Sequence, residues 1–435
     1  MTLLRTSVTL IALLACSPIA AKANVVLDWN AIAVTATQSQ SPFAQARLLA
    51  ITQLAVFEAV NAITREYKPY LGTVHAPAGA SAEAAAVAAA YDVLKNYVPQ
   101  APNLATAYAA SLALIPDGPA KTAGIATGQA AAAQMIARRL GDGSSPAQFY
   151  MPTSMDPGVW QLTTGCPPAG GVAFQWQNMT PFGVPSVASS QDWIAPFAPA
   201  PPPALTSARY ARDYNEVKRV GSVNSDLTDR PQDRADVARF YNLSSPGFVF
   251  NLAARQVAAA EGNSLSENAR AFALLNMATN DSLVASFRTK YDHQLWRPES
   301  AIREGNLDGN PKTDADASFE PYIVTPCFPS YPSNHASGSE GTAEMLRRLY
   351  GSAGHDITIA NPAVPGVSFH YRGFNRIIDD ISDARVYGGI HFRFDQDAGE
   401  DLGRDVATYI YKHNLQRASD SDEDDGRKND ERDRR

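Results

Sequence analysis

The stretch CFPSYPSNHASGSEGTAEMLRRLYG, residues 327–351, places two prolines, four serines, an asparagine and a histidine ahead of a segment with helical periodicity. Pro329 and Pro332 lack an amide hydrogen and oppose any helix running upstream through them. Ser333 is then the predicted N-cap, its hydroxyl accepting from an amide one turn later. The amides of Asn334 and His335 have no acceptor within such a helix. Together with the partial positive charge of the helix end, they form a natural anion site. The plainer alternative is an ordinary capped helix carrying a surface histidine.

Working outward, the chain reads as helical nearly throughout. FAQARLLAITQLAVFEAVNAI and ASAEAAAVAAAYDVLKNYV, then LATAYAASLALI and AGIATGQAAAAQMIARRLGDG, repeat apolar residues at helical spacing, the last closing on Gly141. From Ser144 to Leu205 prolines and glycines become dense, as in APFAPAPPPAL, which predicts a long irregular but ordered loop. Such loops commonly carry function or cover something. Helical patterning returns in SARYARDYNEVKRVG and ENARAFALLNMATNDSLVASFRTKYDHQLW, and alternating strand patterns are nearly absent. The fold class is therefore all-α, built from helical bundles. The segments are a leader over 1–23, a helical region with its Pro-rich loop over 24–205, a helical region over 206–415, and a charged tail over 416–435. That tail has no apolar face and is expected to be disordered.

With 435 residues, 45% of them hydrophobic, the chain can bury a large core or two smaller ones. A formal net charge of -7 gives no electrostatic footprint for nucleic acid, which calls for a basic face, while an anionic ligand remains open because sites are local. Three cysteines, Cys16, Cys166 and Cys327, are too few for a disulfide framework or a zinc site. Cys166 and Cys327 either pair or remain buried thiols. At the N-terminus Arg5, the apolar run from Val8 to Ala15 and Ala21-Lys22-Ala23 follow the order of a secretory leader, with cleavage expected after Ala23 and export to the periplasm or medium. A lipoprotein signal ending at Cys16 is the alternative. No later segment offers about 18 uncharged apolar residues, so no membrane span and a soluble mature chain are expected.

Three segments put charge where a bundle core would want leucine. In KYDHQLWRP, Lys290 and Arg297 stand seven apart, which on one helix projects both from one face, and Pro298 should end that helix. Alone, this reads equally as a solvated basic stripe. The second segment holds Ser333, Asn334 and His335. In ARVYGGIHFRFDQDAG, His391 and Asp395 stand at i and i+4, so the carboxylate can hold one imidazole nitrogen and fix the tautomer. Arg385 precedes them, with Gly388 and Gly389 between, small enough for something to approach the backbone. Two arginines, a lysine, two histidines and a helix N-terminus suit a tetrahedral or trigonal-bipyramidal oxyanion, with arginine giving bidentate contacts. Nothing in the set points to zinc or calcium instead.

K-x6-R-P, then P-S-x-H, then R-x5-H-x3-D, in that order, resembles the signature of the vanadium-dependent haloperoxidases and type 2 phosphatidic acid phosphatases. Lys290, Arg297 and Pro298 carry the first part, Pro332, Ser333 and His335 the second, Arg385, His391 and Asp395 the third. The resemblance is clearest from Asn276 to Gly403 and extends more weakly to FEAVNAITREYKPYL. GIHFRFD is similar to the haloperoxidase branch, and Phe328 matches an aromatic lining the halide side of the pocket in part of that branch. The pattern departs from the family at Asn334, where glycine is usual, and at Ala384, where the phosphatases carry serine. The resemblance implies vanadate as cofactor, with His391 as its axial ligand and Asp395 orienting the ring. Lys290, Arg297, Arg385, Ser333 and the Asn334 amide would hold its oxygens. His335 would be the acid–base residue and Lys290 would polarise bound peroxide. Hydrogen peroxide, halide and a small organic acceptor are the implied partners, with self-association left open. One alternative uses the same residues, a phosphatase with His391 as nucleophile and His335 as acid; another is an exported non-catalytic protein that keeps the fold and binds an anion or a partner through its long Pro-rich loop.

Overall fold

The computed structural model describes residues 24–186 and 193–418. The predicted leader, and the charged tail beyond residue 418, lie outside the described residues. Among the described residues the chain forms thirteen α-helices and one hairpin. The N-terminal helices are α1 (Val25–Thr37), α2 (Pro42–Thr64), α3 (Ala82–Tyr97), α4 (Leu104–Ala113) and α5 (Pro119–Arg138). After the long loop come α6 (Ala208–Val220), α7 (Gln232–Asn242), α8 (Pro246–Glu261), α9 (Leu265–His293), α10 (Pro298–Arg303) and α11 (Asn334–Tyr350). Strands β1 (Ala353–Ala360) and β2 (Ser368–Gly373) then pair antiparallel, and α12 (Phe374–Tyr387) and α13 (Arg393–His413) complete the chain.

Local chemistry explains the main elements. Ser41 caps α2 by accepting from the Ala44 amide at 3.3 Å, Pro42 occupies its first turn, and Arg65 in left-handed conformation ends it. α2 is long and apolar enough to cross a membrane, yet 89% of its apolar window is buried inside the protein. It is the core helix of the N-terminal half, and its Arg47 is neutralised by Asp142 at 2.8 Å. α3 and α5 approach closely because Gly124 and Gly128 sit against the carbonyls of Ser81 and Ala85, where a Cβ would collide. α9 opens on a reciprocal capping box between Ser264 and Glu267 and runs buried through the middle of the molecule.

The same small-residue logic positions the C-terminal half. Gly399 and Gly403 of α13 lie against the carbonyls of Ser333 and Ser337 on α11, and Gly341 of α11 lies against the Ser282 hydroxyl of α9. The residues A-S-G-S-E-G-T are thus the face that lets three helices close around the start of α11. A second apolar cluster, including Tyr210, Trp296, Tyr331, Phe392 and Phe394, packs behind the segments that carry the charged residues.

Four local expectations are corrected. The hairpin was not predicted: Ile357 and Ile359 are buried between exposed neighbours over only a few residues, too short a run to stand out. α5 ends at Arg138, and Gly141 turns the chain beyond it with φ of +68°. α9 stops at His293, where Gln294 takes φ of +48°, so Lys290 and Arg297 do not share a helix. Pro298 starts α10 rather than ending α9, because its missing amide hydrogen costs nothing in a first turn. Among its described residues the Pro-rich segment is irregular apart from a short 3-10 turn, Phe174–Asn178. It is held by Asp281 of α9, which accepts from the amides of Phe182, Gly183 and Val184 at 2.8, 2.6 and 3.2 Å, and by a disulfide between Cys166 and Cys327.

Candidate active site

Lys290, from the last turn of α9, is completely buried. Its ammonium donates to the carbonyls of Pro329, Ser330 and Pro332 at 2.9, 2.7 and 2.5 Å. The prolines explain those acceptors: a segment that cannot form regular ladders leaves its carbonyls free. All three ammonium hydrogens are therefore taken, and Lys290 acts on the site through its charge. Loss of hydration lowers its pKa well below the usual lysine value, with Arg297 adding repulsion and Asp395 opposing it.

Arg297, the N-cap of α10, is also fully buried. Its Nε donates to Phe328 O at 2.8 Å, and Nη1 donates to Ile390 O at 2.9 Å and reaches His391 Nε2 at 2.8 Å. Among the described residues its Nη2 has no partner, nor do Nε and Nη1 of Arg385, which projects from the last turn of α12 and is 2% exposed. Burial lowers the pKa of both guanidinium groups, and Arg385 is further repelled by Arg297. The Phe328 ring lies 5.0 Å from the Arg297 guanidinium and 5.5 Å from Lys290 Nζ, a face that attracts cations.

His391 sits just before α13, and Asp395 sits in that helix's first turn. The i, i+4 contact predicted along a helix is instead made across the helix start. His391 Nδ1 meets Asp395 Oδ2 at 2.8 Å, and the same oxygen accepts from Ser330 Oγ at 2.6 Å and the Phe392 amide at 3.1 Å. An arginine has only hydrogens to offer, so Nε2 facing Arg297 must be the acceptor and the proton belongs on Nδ1. His391 thus presents a fixed Nε2 lone pair to the arginine side of the site. Its pKa lies well below the usual histidine value, first through lost hydration and then through Arg297 and Lys290. Burial pushes Asp395 up to about 6, against the stabilising hydrogen bond from Ser330.

Ser333 caps α11 as predicted, accepting from the Ala336 amide at 3.3 Å, while its own amide donates to Asp395 O at 2.8 Å. Asn334 begins the helix and is buried at 6% exposure, and His335 follows it half-buried. His335 is held neutral by lost hydration and by the positive charges of Arg385, Lys290 and Arg297. Gly388 and Gly389 do admit an approach to the backbone: Gly389, at φ of +79°, packs on the carbonyl of Gly221.

The structure therefore brings Lys290, Arg297, Ser333, Asn334, His335, Arg385, His391 and Asp395 together, with Phe328 as a wall. Sequence reading missed Ser330 and the carbonyls that bind Lys290. The available signal was a proline-broken segment next to a buried lysine.

The donor set fits an oxyanion. Three buried cations face one buried carboxylate, and three guanidinium nitrogens beside His391 lack partners among the described residues. Leaving such groups unpaired is costly, so an anion is the natural complement.

Comparison with known proteins bears on the fold. Residues 270–420 match the family described as the VCPO second helical-bundle domain. A vanadium chloroperoxidase of Curvularia inaequalis is 26% identical over 181 residues, a match covering 31% of this chain and 29% of the length of that relative. The first bacterial vanadium-dependent iodoperoxidase superimposes with a TM-score of 0.75 at 22% identity, covering 91% of this chain and 97% of that one. An apo-type bacterial vanadium-dependent chloroperoxidase gives 0.67 at 19% identity, covering 85% and 93%. The chain thus has the fold of the vanadium haloperoxidases, and within it residues 270–420 are similar to the VCPO second helical-bundle domain.

Proposed function

We propose that this chain is a vanadate-dependent haloperoxidase that uses hydrogen peroxide to oxidise halide to hypohalous acid, which then halogenates a small organic acceptor. The observation that carries the reading is the pairing of unpartnered buried guanidinium donors on Arg297 and Arg385 with the fixed Nε2 lone pair of His391. Vanadate bound there would supply a Lewis acid that activates peroxide without changing its own oxidation state.

The chain's own residues do the rest. His391 would hold the metal through Nε2, and Asp395, fixed by Ser330 and the Phe392 amide, keeps the proton on Nδ1. Arg297 and Arg385 would offer hydrogens to the anion's oxygens, and Lys290 would add charge from its carbonyl rack. The Ser333 hydroxyl and the orphan amide of Asn334 would add two further donors. His335, neutral beside three cations, is set up to accept a proton from hydrogen peroxide.

We also propose that the chain is exported. The Cys166–Cys327 disulfide supports an oxidising compartment, and N-terminal sequencing of the secreted or periplasmic product should begin near Asn24. The functional reading is tested by assaying the purified protein, with and without vanadate, for peroxide-driven oxidation of iodide, bromide and chloride and for phosphomonoester cleavage. Vanadate-dependent halide oxidation supports the proposal. Ester cleavage without it replaces the proposal with the phosphatase reading, and neither activity leaves an anion-binding protein.

A further inference from the structure

Halide oxidation by peroxide has a proton requirement: X⁻ + H₂O₂ + H⁺ gives HOX + H₂O. Halide loses the two electrons that the O–O bond gains, and one proton must reach the site in every turnover. The site as described is crowded with cations and wrapped in buried side chains, so that proton needs a route.

Three helices, α11, α12 and α13, carry polar side chains on the far side of the site. On α12, Asn375, Ile378, Ser382 and Arg385 recur at three- and four-residue spacing, a single stripe on a helix. Ten residues of helix span about 15 Å. Arg385 ends that stripe in the site, whereas Asn375 and Ile378 line a surface cavity of about 360 Å³ with Glu340, Glu400 and Arg404. On α13, Gln396, Glu400 and Arg404 form a second stripe, of which Glu400 and Arg404 reach the same cavity. On α11, Ser339 lies one turn beyond His335. The stripes are joined where Ser382 Oγ donates to Glu400 Oε1 at 2.5 Å.

Two further side chains on the adjoining helices, Gln396 of α13 and Ser339 of α11, are polar and unsatisfied among the described residues. Gln396 and Ser339 are both wholly buried, and neither the Gln396 amide oxygen or nitrogen nor the Ser339 hydroxyl has a protein partner. Bundle cores seldom keep such groups, and buried polar atoms without protein partners are ordinarily bridged by internal water.

We propose that Glu400, Ser382, Gln396 and Ser339 form a hydrated proton path from the cavity between α11, α12 and α13 to the Arg385–His335 side of the site, with Glu400 collecting the proton from solvent. The proposal rests on the haloperoxidase reading. It separates the proton supply from the half-exposed edge at His335. Glu400 is suited to its place: burial pushes its pKa up to about 7, with Glu340 and Asp397 adding negative charge and Arg404 opposing. Glu344 and Arg347 of α11 and Asp379 of α12 complete the charged groups facing the cavity.

The test is Glu400→Gln, which keeps the hydrogen bond from Ser382 but cannot carry a proton, alongside Ser382→Ala. Vanadate affinity by calorimetry should match the parent in both variants. At saturating peroxide and halide, kcat should fall about tenfold or more, as for loss of a proton-transfer group. The parent's decline in kcat as pH rises through about 7 should disappear in Glu400→Gln. Glu400→Asp should restore part of the rate, and small buffer acids should partly rescue Glu400→Gln. An active parent whose Glu400→Gln variant keeps the parental kcat and pH profile overturns the path and leaves the haloperoxidase reading standing. A parent without vanadate-dependent halide oxidation overturns both.

Discussion

Replacing Arg385 with methionine should stabilise the anion-free protein while weakening its grip on vanadate. The guanidinium is 2% exposed, its Nε and Nη1 lack partners, and Arg297 repels it. An ion buried without a partner costs several kcal/mol, and exchanging buried charge for an apolar side chain of similar volume is often stabilising by about 1–4 kcal/mol. With an unfolding entropy of roughly 2 cal/mol/K per residue, a chain of 435 residues gains on the order of 1 °C in Tm per kcal/mol, so Tm should rise by about 1–4 °C. For the bound anion the sign reverses. Removing one partner of a buried, hydrogen-bonded charge pair costs about 2–5 kcal/mol, or roughly thirty- to several-thousand-fold in vanadate affinity. Thermal unfolding without vanadate and vanadate titration by calorimetry read the two effects separately. A variant that unfolds at lower temperature and binds vanadate like the parent would show that Arg385 is structural, and the anion-cage reasoning would fail with it.

His391→Ala should abolish both vanadate binding and halide oxidation, whereas His335→Ala should bind vanadate and lose about 10²–10⁴-fold in turnover, both checked by calorimetry beside a halogenation assay. Asp395→Asn should weaken vanadate binding about 10–100-fold by loosening the His391 ring, measured in the same titration. The folded-state pKa values of His335 and His391 lie below the unfolded value, so the unfolded chain binds more protons in that window. Denaturant unfolding should therefore show stability falling as pH drops below about 6.5 and recovering as pH rises through it. Asn334→Gly should leave vanadate affinity unchanged and raise turnover if the asparagine side chain obstructs peroxide or halide. Cys166→Ser should lower stability by about 2–4 kcal/mol in denaturant titrations, because it releases a 161-residue closure.

The sequence by itself determined the helical class and the cast of the site. Ser333 had to cap a helix because two prolines barred the backbone upstream and helical periodicity began immediately after. Lys290, Arg297, His335, Arg385 and His391 stood out through an ordered signature that resembles a known family's and whose charges suit an anion. Periodicity and capping are local physics, set by neighbours three and four residues away, so they survive in one dimension. Only the tertiary structure decided how those residues meet. Lys290 and Arg297 converge from two helices, through a left-handed Gln294 that no periodicity announces. Lys290 spends its hydrogens on three carbonyls some forty residues away, and Ser330 completes the Asp395 clamp across 65 residues. The His391 tautomer follows from Arg297 on one side and Asp395 on the other. The pairing of Cys166 with Cys327 and the polar column behind Arg385 likewise depend on which helices pack together. Those packings depend on glycines and alanines whose missing side chains leave no pattern of their own: Gly399 and Gly403 are legible as contacts only once α11 lies against them.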